Sequence, residues 1–113
     1  MEGAMTKTVS MKRVIIIGDG DVEYRLAKEI HDLGGTGFTF YAVHGTGAKG
    51  ERPRHGESAN VKIEVICTGE VADAILAHVE KNYFPKYAMI AFVDDVEVLR
   101  PKKFGAKSGE VKQ

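Results

Sequence analysis

The spacing of apolar residues along this chain switches between two and three-to-four, and the switches divide it into elements. Lys12 to Ile17 is β-branched and apolar and ends at Gly18, which predicts a buried strand. Asp19 or Asp21 is placed to cap a following helix, whose core stripe is Val22, Leu26, Ile30 and Leu33 and which Gly34-Gly35 stops. Phe38 to Val43 is a second strand. Asn60 to Cys67 is a third, with Val61, Ile63 and Val65 on one face. Thr68 is a predicted N-cap for a second helix, with Val71, Ile75 and Val79 inward, Ala72 and Leu76 beside them, and Pro85 just past its end. Tyr87 to Val93 reads as a fourth strand that Asp94-Asp95 interrupts, and Val96 to Leu99 as a short continuation or fifth strand.

The order β-α-β-β-α-β predicts an α+β, ferredoxin-like fold, one antiparallel sheet with both helices on one face. The strands are apolar on both sides: Phe38 and Phe40 against Tyr41 and Val43, Ile90 and Phe92 against Met89 and Val93. Helices cover only one side, and soluble monomers rarely leave a large apolar face in water. The second face is therefore expected to meet other copies of the chain. A tail folded across it is the alternative, with Phe104 and Val111 to offer.

Composition narrows the class. The 113 residues fit one domain, and 43% hydrophobic with 28% charged residues is ordinary for a soluble protein. The formal net charge is zero, which argues against nucleic acid as a partner. No apolar run approaches the ~20 residues of a membrane span, so no direct membrane insertion is expected. The N-terminus has no apolar core of a signal peptide. One cysteine, Cys67, excludes an internal disulfide and fits a reducing cytoplasm. Residues 1–11 are expected to be a disordered N-terminus or cloning remnant, 12–103 the domain, and 104–113 a flexible tail.

Against this neutral background one segment is locally basic. Between Gly45 and Gly56 lie four glycines, with Lys49, Arg52, Arg54 and His55 against Glu51. Glycines let a backbone approach a ligand, turn N–H groups make an anion-binding concavity, and Lys or Arg adds charge-assisted bonds to phosphate. The spacing is not a Walker A loop, because Glu51-Arg52 follows Gly50. Gly18-Asp19-Gly20-Asp21 lacks the third glycine of a dinucleotide fingerprint and reads as a turn with an N-cap. His31, His44, His55 and His78 have no metal-ligand spacing, and His31 and His78 are expected to be exposed. No paired-carboxylate or Ser-His-Asp arrangement supports catalysis, so the chain is not expected to be an enzyme.

Three stretches in order resemble the PII signal-transduction superfamily. Gly37, Thr39, Val43, Gly45 and Gly47 match its G-x-T-x-x-x-V-x-G-x-G segment at the base of the long T-loop. Val61-Lys62-Ile63-Glu64-Val65-Ile66 matches its next strand, and Val98-Leu99-Arg100-Pro101-Lys102 its V-I-R-x-R end. The likeness spans about Lys12 to Lys103, with the T-loop at 44–59. The glycine-rich B-loop of PII proteins proper is absent from Lys81 to Ala88, and no tyrosine lies between His44 and Asn60 to be uridylylated. The segment from Lys81 to Leu99 is instead similar to the carboxysome-associated and SbtB-like PII proteins of inorganic-carbon uptake.

The resemblance implies a homotrimer with adenine nucleotides, AMP, ADP or ATP, in clefts between subunits and bicarbonate as a further ligand. It implies Thr39 and Ile66 in the adenine pocket and Gly45 and Gly47 at the loop root. Lys49, Arg52, Arg54, Arg100 and Lys102 would face phosphate, and Lys86 completes the set. Ligand state would order the T-loop, which would meet a bicarbonate transporter or a carboxysome component. Two other readings of the same fold are an RNA-binding sheet, which would use its strand aromatics, and a metal-tolerance-like trimer, which would need clustered ligands.

Overall fold

The computed structural model describes residues 7–44, 60–99 and 104. Strand β1 (Val9–Asp19) runs through a short 3-10 turn (Gly20–Val22) into helix α1 (Glu23–Asp32). Strands β2 (Gly37–Val43) and β3 (Asn60–Cys67) follow, then helix α2 (Gly69–Asn82) and strand β4 (Ile90–Val98). The sheet order is β2-β3-β1-β4 with every neighbouring pair antiparallel. This is the expected ferredoxin-like α+β arrangement.

Local rules operate at several junctions, although α1 itself has Val22 at its N-cap position and no side-chain cap. Asp19 caps the 3-10 turn by accepting from the Asp21 amide at 2.8 Å, and Thr68 caps α2 by accepting from the Val71 amide at 3.3 Å. Helix α1 ends with Gly34 N–H bonded to His31 C=O at 3.0 Å and Gly35 N–H to Ile30 C=O at 2.9 Å. That bond pattern requires a left-handed residue at Gly34, whose φ is +108°.

Strand β3 alternates with period two: Val61, Ile63, Val65 and Cys67 are buried and the residues between them are half-buried. Val14 and Ile16 of β1 join them. Leu26 and Ile30 of α1 and Ala72, Ile75 and Val79 of α2 close the core from one side. Val71, expected inward, is only half-buried, and Ala72 takes the deeper place, where a small side chain lets the helix approach the sheet.

Four points differ from the sequence reading. Strand β1 begins at Val9, three residues earlier than Lys12, because Val9, Ser10 and Met11 pair with Val98, Glu97 and Val96 and bury Met11. Asp94-Asp95 does not interrupt β4. Asp94 receives two bonds from Arg13, at 3.1 and 2.7 Å, and Asp95 one from Lys12 at 2.6 Å, so each acid sits opposite a cation on β1. Arg13 holds the Asp94 carboxyl below the usual carboxylate range. Tyr87 to Met89 lies outside the strand, which starts at Ile90. The fourth difference is in the expected tail. Phe104 is half-buried and packs with Met11, Ile66, Val96 and Val98, the only residue of 104–113 among those described.

On the sheet face away from the helices, Tyr41, Ile90 and Phe92 are 43%, 56% and 46% exposed. Ile15 in the middle of that face is buried all the same, between Glu64 and Phe92 on the flanking strands.

Gly34→Ala should destabilise the domain by about 1–3 kcal/mol, the cost of holding a side chain in a sparsely populated backbone region. The added methyl would also stand 3.0 Å from the Val71 side chain. Urea denaturation checks it, with Gly69→Ala, where an added Cβ meets nothing within 4 Å, as the comparison.

Candidate functional site

Antiparallel pairing gives the sheet two ends with different chemistry. At one end β1 finishes at Asp19 beside Asn60, β2 finishes at Val43, and β4 begins at Ile90 opposite Ile17. The segment joining β2 to β3 leaves from this end. Helix α2 also finishes here, so Lys86 lies at the same end, exposed, with its amide bonded to Tyr83 C=O at 2.9 Å. At the other end are Gly37, Ile66, Met11 and Val98, with Leu99 following.

The candidate residues divide between these ends. Thr39 is exposed on β2 opposite Glu64, and Ile66 is half-buried on β3 opposite Gly37. Paired residues share a face, as do residues two apart, so Thr39 and Ile66 lie together on the face the helices leave open. Lys86 is not with them. Gly45, Gly47, Lys49, Arg52, Arg54, Arg100 and Lys102 lie outside the described residues. Position 100 follows Leu99 in sequence, and Leu99 stands just past the end of β4 that is far from Lys86. The nine residues of β4 at about 3.3 Å each separate those ends by roughly 30 Å.

At the loop-root end a shallow cleft of about 380 Å³ is lined by Gly20, Glu23, Phe40, Tyr41, Ala42, Asn60 and Val61. Beside it on the open face, Lys62 lies 5.4 Å from the centre of the Tyr41 ring and 3.2 Å from Glu64. Among the described residues no group of three or more His, Cys, Asp or Glu is placed to hold a metal ion. Cys67 is buried as a free thiol, which burial pushes up to about 11.

Pattern reading missed a polar network between the helices. Arg25 donates to Tyr83 Oη at 3.1 Å and to Tyr87 Oη at 2.9 Å. Tyr83 donates to Glu29 at 2.5 Å, and His78 Nε2 meets the same Glu29 oxygen at 2.8 Å. Asn82 contacts His78 Nδ1 and its carbonyl, each at 3.1 Å. His78, expected to be exposed, has only a quarter of its side chain accessible. The signal was present as two i,i+4 polar pairs, Arg25/Glu29 and His78/Asn82, on helix faces that meet. The network fastens the 83–87 turn, and with it Lys86, to α1. Desolvation pushes the Glu29 carboxyl up, but the bonds from Tyr83 and His78 outweigh it and leave the group below its ordinary value of 4.5. Burial and the bond to Glu29 push the Tyr83 hydroxyl up.

The β2-β3-β1-β4 order with both helices on one face defines a small split-βαβ domain of ferredoxin-like fold. The profile of nitrogen regulatory protein P-II matches residues 11–103, and the chain belongs to that family. It is 38% identical to a PII-like signalling protein of Thermus thermophilus, covering 87% of this chain and 98% of that one, with a TM-score of 0.77. CPII from Thiomonas intermedia K12, a nitrogen regulatory PII-like protein solved with ADP, AMP and bicarbonate, is 24% identical. It covers 88% and 98% with a TM-score of 0.80. The B. subtilis GlnK–ATP complex matches at 22% identity over 82% and 85%, with a TM-score of 0.58. These last two bear on the fold.

Because Glu29 is held low, the unfolded chain takes up its proton first as pH falls. The stability it contributes is complete above pH 4.5 and is lost as pH drops through the lowered native value. Tyr83→Phe should shrink this acid sensitivity and cost roughly 1–2 kcal/mol at neutral pH, by leaving Glu29 short of a donor. Urea titrations of both proteins between about pH 3 and 7 test the pair of effects.

Proposed function

We propose that this protein is a non-enzymatic PII-like regulator. It binds AMP, ADP or ATP, with bicarbonate as a further ligand, in clefts between the subunits of a homotrimer. Its output passes to inorganic-carbon uptake or carboxysome function in the cytoplasm, through a bicarbonate transporter or a carboxysome component. Membership of the P-II family carries the regulatory reading. A relative of the same fold holding ADP, AMP and bicarbonate supports the ligands.

The separation of the candidate residues supports a shared site. Lys86 and the loop root stand at one end of the sheet, and Leu99, which leads to position 100, at the other. One chain cannot close both on a single nucleotide, but two chains side by side can. The exposed apolar residues Tyr41, Ile90 and Phe92 supply the surface for that contact. In this arrangement Thr39 and Ile66 face the base. Gly45 and Gly47 bring backbone close, and Lys49, Arg52, Arg54, Lys86, Arg100 and Lys102 meet phosphate or its counter-charge.

Light scattering at micromolar concentration should give the mass of a trimer; a monomer mass would remove the shared site. AMP, ADP or ATP should raise the melting temperature, the gain being about 2.7 kcal/mol at a ligand concentration 100 times its Kd. Arg100→Ala should weaken ADP roughly ten- to a hundredfold, as loss of a charge-assisted bond does, and leave adenosine almost unaffected. Equal weakening of both ligands in calorimetry would show that position 100 does not meet phosphate.

A further inference from the structure

Gly37 is a strand residue with a half-buried environment and no side chain, and the ring of Phe104 fills the space above it. A Cβ built on Gly37 runs into Cδ1 and Cε1 of that ring, whereas Cγ is 3.7 Å away. The ring therefore meets the sheet by its Cδ1–Cε1 edge and stands upright, with its two faces directed along the sheet rather than onto it. Met11, Ile66, Val96 and Val98 pack with it. Gly37 is the first residue of β2, and a glycine in a strand often marks close approach of another group. Here the group is an aromatic ring contributed from beyond β4.

The ring stands among the residues assigned above to the adenine base. Ile66 is in its cluster, and Thr39 is the next residue on the same face of β2. An upright, half-buried ring beside an exposed hydroxyl offers what a purine uses: a π-face to stack on and a polar group at its edge. We infer that Phe104 is a base-recognition residue: adenine stacks against its exposed side over β2 and β3, with Thr39 as the polar anchor. This rests on the nucleotide reading and adds the residue that distinguishes an aromatic base from the rest of the ligand. Gly37 belongs to the same device, because any side chain there would displace the ring.

The chain contains no tryptophan, so Phe104→Trp introduces a single indole at the proposed stack. Its fluorescence should be quenched, saturably, by adenosine and by ADP, and not by inorganic pyrophosphate. Phe104→Leu keeps an apolar cover over Gly37 without a π-face. Its affinity for ADP, by calorimetry, should fall about 5- to 150-fold, the span of one base–aromatic stack. Unchanged ADP affinity in Phe104→Leu, or an unquenched indole in a protein that binds ADP, overturns the inference and leaves the nucleotide reading standing. Tighter ADP binding in Phe104→Leu overturns it too, since the ring would then be an obstacle to the base. If no adenine nucleotide stabilises the unsubstituted protein, both readings fall.

Discussion

The arrangement depends on β1 being paired along both of its edges. From Lys12 to Ile17 each residue has a partner on β3 and another on β4. The strand therefore has no free edge over that stretch, and its register is fixed from two sides. A slip by one residue would turn Val14 and Ile16 onto the open face and drive Arg13 under the helices. Arg13 and Lys12 add a second check, because each finds its carboxylate on β4 only in the native register. With β1 fixed, the sheet has one face for both helices and two ends that cannot meet within a chain.

Most of the fold was legible because its signals are local. The period-two run of β3, the Thr68 cap and the Gly34-Gly35 stop are written in adjacent residues and recur in the structure, whereas Asp19 caps the 3-10 turn ahead of α1 and not α1 itself. What escaped depends on partners distant in sequence. Asp94-Asp95 reads as a break when taken alone and becomes strand once Arg13 and Lys12 lie opposite. Val9 to Met11 reads as part of a disordered N-terminus until β4 is there to pair with it. Thr39 and Ile66 were singled out by resemblance and share a face only once the strand register is known, whereas His78 looked exposed because its partner Glu29 is on another helix. The cations of the glycine-rich loop and of the β4 end lie outside the described residues, so their role stands on resemblance and charge.

The turn after α2 shows how one chain solves a positioning problem without glycine. Arg25 reaches two tyrosine hydroxyls, and its guanidinium lies 5.1 and 5.8 Å from the centres of the same two rings. Tyr83 is almost fully buried and in turn bonded to Glu29. Hydrogen bonds and ring contacts of this kind restrict a segment far more than a glycine-rich loop does, since glycine retains the backbone freedom that side chains remove. Lys86 is thereby presented from a framed turn rather than from a pliable one.

The opposition of the two sheet ends has a thermodynamic side. A ligand that touches Lys86 or the loop root at one end and the β4 exit at the other reads two chains at once. It then binds the assembled form better than the separate chain, and by linkage it tightens the assembly by the same factor. Occupancy, subunit cohesion and resistance to unfolding become one coupled quantity. With the ligand site shared as proposed, distance within the single chain would be the source of communication between chains.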